Sequence, residues 1–149
     1  MILNVLQMFF WISTVYTFLV GLVLWNKGRE LARIGRLTKS QLVGFKHGYY
    51  QSLQAQHHDL ARMFLVGVLA ILIVAEFMVR ISEPTMRGWL FYTHLGFAIP
   101  GLIGLLAIHK KYNGIKHPRV HCYLGRMVMI FVFGTIFTGI PLFMSISGK

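Results

Sequence analysis

The sequence predicts an all-α integral membrane protein: a four-transmembrane-helix bundle with both termini outside. Three observations predict it. First, 56% of the 149 residues are hydrophobic. Second, the apolar residues gather into four runs, about residues 2–25, 60–80, 89–109 and 122–145. Each is close to the about 20 residues a helix needs to cross about 30 Å of hydrocarbon. Unpaired backbone is not tolerated in lipid, and the runs are too long and too uniformly apolar for barrel strands. Third, the cations are placed asymmetrically. Lys27, Arg29, Arg33, Arg36, Lys39, Lys46, Arg62, Lys110, Lys111, Lys116, Arg119 and Arg126 lie in or beside the first and third connections. Only Arg80, Arg87 and Lys149 lie on the other side. Basic connections stay cytoplasmic, which puts both termini outside.

The whole chain, residues 1–149, reads as one membrane domain. Its net charge of +11 is that of a nucleic-acid binder, but the cations follow the membrane rule, so nucleic acid is not an expected partner. The anionic inner leaflet is. No Lys or Arg precedes Lys27 and no small-residue cleavage site follows the first run, so that run is expected to be a true span. A single cysteine, Cys122, excludes an internal disulfide and any multi-cysteine metal site within the chain.

The first span ends at Trp25, an interfacial aromatic. A long basic loop, about residues 26–59, follows. Within it Leu42, Phe45, Tyr49 and Leu53 recur at helical spacing beside Lys39 and Lys46. That pattern predicts a short amphipathic helix lying on the inner membrane surface; the alternative is an ordinary basic loop held by anionic lipid. The second and third spans are joined by the short ISEPTMRG and so are antiparallel neighbours. The third opens at Trp89 and holds Pro100. The connection to the fourth contains an Asn113-Gly114 turn signal, and Pro118 suits the first turn of the fourth helix, where its missing N–H costs nothing. Pro141 lies within that helix. Gly96, Gly101, Gly104, Gly134 and Gly139 give the last two helices small surfaces for close packing.

Ionisable groups inside spans are costly and point to function. Glu76 and His94 are expected at similar depth near the outer ends of the second and third spans, with Thr138 reaching the same level. Such a pair can carry a proton, bind a quinone oxygen, or ligate a metal with help from another chain. Equally, Glu76 and Arg80 have the i,i+4 spacing of a helix salt bridge, and His94 can be a hydrogen-bonded packing residue. A second group lies at the inner side: His57 and His58 open the second span, His109 closes the third, and His117 and His121 open the fourth. Imidazole suits copper, zinc or haem iron. Arg62, Lys116, Arg119 and Arg126 can pair with haem propionates or lipid phosphates.

His94 and His109 are 15 residues apart in sequence, about 60° around a helix and about 22 Å along it. A bis-histidine haem needs a second histidine at matching depth. His109 can find His58 or His121. His94 has none, because no other span carries an outer histidine. One inner-face haem b, held by His58, His109 and His121 with Arg62 and Arg126 at its propionates, is thus one reading. A metal such as copper on His58, His94, His121 or Glu76 is another. His117, before Pro118, caps its helix or faces water. No nucleophile motif, phosphate loop or nucleotide-binding glycine pattern appears, and the 4 acidic residues leave little for carboxylate-pair catalysis.

Four segments carry a resemblance: HHDLARM, then FYTHLGFAIPGLIGLLAI, then HPRVHCYLGRM, then FTGIPLF. Together, over His58 to Met144, they resemble the bacterial membrane family called domain of unknown function 420, which includes assembly factors for haem–copper terminal oxidases. His58, His94 and His121 fall on the family's histidine positions, and Thr138-Gly139 on its terminal Thr-Gly. Two departures stand out. Glu76 occupies a place where the family has a histidine, and the first connection is longer. HCYLGR is also similar to the His-x-x-Leu-Gly helix starts of several b-type cytochromes. The resemblance implies a bacterial inner-membrane protein and a non-catalytic accessory or assembly role in a larger respiratory or redox complex, handling haem or copper. The alternatives are a b-type cytochrome or quinone-interacting carrier, and a purely structural small subunit.

Overall fold

A computed structural model describes residues 2–34, 47–82, 88–110 and 117–147, with side chains at most of them. The described residues form four helices: α1 (Ile2–Ile34), α2 (His47–Ser82), α3 (Trp89–Lys110) and α4 (Pro118–Ser147). All four are long and apolar enough to cross a membrane, and the described residues are all-helical apart from the helix-flanking Gly88 and His117.

The helix ends follow local chemistry. Gly88 precedes α3 and its carbonyl accepts from the Phe91 N–H at 3.0 Å. Pro118 is the first residue of α4, where no N–H is required. The carbonyl of exposed His117 accepts from the His121 N–H at 2.8 Å, which makes His117 the capping residue. Pro100 and Pro141 lie inside α3 and α4. The Asn113-Gly114 turn and residues Leu42 and Phe45 lie outside the described residues.

The first connection differs from expectation. Residues 26–34 complete α1 and residues 47–59 are the start of α2. Tyr49 and Leu53 therefore belong to α2 and not to a separate short helix. The cause is packing. Leu53 is 2% exposed, and the stripe it begins continues at helical spacing through half-buried His57 and Leu60 to buried Phe64, Gly67 and Val68. A face that meets another helix over its whole length has no reason to break where polarity changes.

Two compact units make up the chain. One is Met8–Ile73. Within it α1 and α2 pack through small residues: a Cβ added to Gly67 would come within 2.3 Å of the Thr17 hydroxyl oxygen. Phe10, Thr14, Thr17, Val20 and Gly21 form the buried stripe of α1. Gly28 lets the His57 ring approach α1, with Cε1 3.3 Å from where a Cβ would sit. Beyond this point Ile34 is buried, Tyr49 donates a hydrogen bond to Glu30, and Lys27 pairs with Glu30 at 3.6 Å.

The other unit is Met1–Gln7 with Val74–Lys149. Here α3 and α4 form an antiparallel pair whose register is legible in its glycines. Going down α3 and up α4, His94 meets Gly139, Phe97 meets Gly134, Gly101 meets Phe131 and Gly104 meets Val128. In lipid, apolar surface gains little by leaving one apolar neighbour for another, so close van der Waals packing holds such pairs. Gly96 is the exception among the expected packing glycines: nothing lies within 4 Å of its would-be Cβ.

Candidate functional site

The polar centre of the α3–α4 pair is His94. Its Nδ1 lies 3.2 Å from the Thr138 hydroxyl oxygen. The Thr138 hydroxyl has one proton to give. Its shortest acceptor is the Gly134 carbonyl at 2.8 Å, with the Thr135 carbonyl at 3.3 Å. With that proton committed, the oxygen accepts from His94, which assigns the proton of the neutral ring to Nδ1. Nε2 then keeps its lone pair.

Sequence and packing together make this geometry. Thr138 bonds back to the preceding turn of its own helix, a habit of threonine in apolar helices, and this aims its lone pairs outward. Gly139, the next residue, leaves room for the imidazole: a Cβ there would lie 3.2 Å from His94 Cε1 and 3.5 Å from Nδ1. Thr135 repeats the back-bond to Phe131 at 2.8 Å. The Nδ1–Cε1 edge of the ring is thus seated on α4. Chemically, a fixed imidazole with an available Nε2 can ligate a soft or borderline metal or accept one hydrogen bond.

The expected match in level between His94 and Thr138 is present. Glu76 is exposed on α2, and the Arg80 side chain expected beside it lies outside the described ones. Of the inner histidines, His58 is exposed and belongs to the unit Met8–Ile73. Exposed His109 and half-buried His121 belong to the other unit. Arg62 is exposed and pairs with Asp59 at 3.6 Å; Arg126 is exposed as well. Among the described residues, no three His, Cys, Asp or Glu side chains converge as metal ligands.

His57, not His58, makes the interhelical contact with Gly28, ten residues into α2. Its ring edge meets that of His58 at 6.3 Å between centroids. The signal was present in the sequence: His57 shares a helical face with Leu53 and Phe64, and Gly28 is a small residue placed to receive it. Thr135 also escaped the sequence reading, although it lies three residues before Thr138 on the same face.

Comparison of the chain with protein-family models, curated proteins and solved structures yields no match.

Proposed function

We propose that this protein is a non-catalytic accessory or assembly subunit of a larger bacterial inner-membrane respiratory or redox complex. One observation carries the reading: His94 is fixed by Thr138 and Gly139 with Nε2 left available, inside an apolar helix pair. An imidazole held this way fits one coordination position of copper or haem iron. A resident bis-histidine haem needs a second histidine at matching depth, and the sequence offers no second outer histidine. The remaining ligands come from the partner complex, so the chain positions or protects a haem b or copper centre without owning it.

The charge asymmetry supports a placement with the ends of α1 and α3 and the starts of α2 and α4 on the cytoplasmic side, against anionic lipid. The resemblance to the domain of unknown function 420 family supports the same assignment. His94 and Thr138-Gly139 are among the positions that carry it.

The test is purification from native membranes in mild detergent, with oxidised and dithionite-reduced spectra and metal analysis. The expected result is co-purification with a larger membrane complex whose haem or copper content falls in His94→Ala. A sharp α-band from the isolated chain would identify a b-type cytochrome instead. Unchanged haem and copper in the His94→Ala complex would leave only a structural subunit.

A further inference from the structure

We propose that the outward edge of α1 beyond Trp25, carrying Arg29 and Arg33, is a docking surface for an acidic segment of a partner protein. The inference rests on the membrane placement proposed above.

The surface exists because α1 does not stop at the membrane boundary. With the span ending at Trp25, helix α1 continues to Ile34 and packs on the first turns of α2. Buried Ile34 and Leu53, the Tyr49–Glu30 hydrogen bond and the His57–Gly28 contact tie the two helices together. The result is a hairpin arm with a fixed outer edge. Arg29 and Arg33 are both exposed, and their i,i+4 spacing stacks them on one face.

The acids of this arm are already used. Glu30 is engaged by Lys27 and Tyr49, and Asp59 by Arg62. Neither pairs with Arg29 or Arg33. The connecting residues 35–46 add Arg36, Lys39 and Lys46 to the sequence and no acid. The complementary ligand is therefore anionic.

Geometry separates the possible anions. A second copy of this chain, with its net charge of +11, is repelled. Lipid phosphate fits a helix lying flat on the membrane. Here Arg33 is eight residues past Trp25, about 12 Å along the helix, whereas the headgroup zone is only about 5–7 Å deep on each side. An acidic protein segment in the aqueous phase can reach both arginines at once. Guanidinium groups one helical turn apart match carboxylates at the same spacing on a partner helix.

The test uses the full chain in nanodiscs of phosphatidylcholine, titrated with a fluorescent Glu-rich helical peptide. Expected is saturable binding that weakens at least about tenfold in Arg29→Glu/Arg33→Glu. The control Lys39→Glu/Lys46→Glu, with the same change of charge, should retain most of it. Equal losses in the two variants would mean a general basic field and overturn the proposal, as would absence of binding. In an equal mixture of phosphatidylcholine and phosphatidylglycerol, a spin label at position 33 should stay mobile. Its immobilisation, with loss of peptide binding, would make lipid the occupant and overturn the proposal too. A cysteine at position 33, in a Cys122→Ser background, must react with an impermeant maleimide. Failure to react overturns the membrane placement itself, whereas reaction without peptide binding overturns only the docking.

Discussion

His94 and Thr138 hold each other across the α3–α4 pair, with Nδ1 3.2 Å from the threonine hydroxyl oxygen. Threonine and valine have nearly the same shape, so Thr138→Val deletes the hydroxyl and little else. We expect a loss of about 1 kcal/mol of stability, the size of one interhelical hydrogen bond in a membrane protein. A more specific readout is nitrogen NMR of labelled histidine. The wild type should show the Nδ1–H tautomer at His94, and the variant a mixture. An unchanged tautomer would mean that Thr138 does not orient the ring.

The glycines of the α3–α4 pair should differ sharply in tolerance. Alanine at position 134 would place a methyl group 2.5 Å from the Phe97 ring. Such overpacking costs about 1–3 kcal/mol. Gly96→Ala meets nothing within 4 Å and should be neutral or slightly stabilising. Unfolding in mixed micelles gives both values under one condition, and equal values would contradict the register described for the pair.

Position 67 tests the α1–α2 seam. A methyl group there would sit 2.3 Å from the Thr17 oxygen, so Gly67→Ala should destabilise. Removing the obstacle with Thr17→Ala should restore much of the loss. A double-mutant cycle should return a favourable coupling of about 1–2 kcal/mol. Strict additivity would show that the two residues are not in contact.

Leu53 tests the hairpin arm. Its side chain is 2% exposed although it lies in a polar stretch. Leu53→Ala should cost about 2 kcal/mol or more, and the loss should be local. Amide hydrogen exchange should accelerate over residues 26–34 and 47–59 and leave the apolar helix centres protected. Fast exchange of both segments in the wild type would argue for a loop.

The apolar runs make the helix count legible in the sequence, because lipid imposes one length and one composition on every span. The shared level of His94 and Thr138 is legible too, since depth follows from counting residues along a helix; that Thr138 is the hydrogen-bond partner is not, because rotation about the helix axis is set by packing. The reach of α1 and α2 past those runs is not. Hydropathy registers the solvent and not the backbone, and the segments 26–34 and 47–59 are polar helices. Their periodicity is visible at Tyr49 and Leu53. Its continuation through His57 and Leu60 to Phe64 shows that the same face runs on into the apolar run. The choice of His57 over His58 has a related cause: neighbouring residues on a helix point about 100° apart, and only a partner such as Gly28 decides which one faces inward.

The uninterrupted α2 also has a mechanical meaning. Its 36 residues make a rod about 54 Å long, well beyond the about 30 Å of hydrocarbon. No proline or separate hinge divides it. A lateral force applied near Gly48 is therefore carried along the unbroken helix to the apolar turns at Phe64 and Val68. The arm is a tiller: whatever grips it acts on the helix beyond.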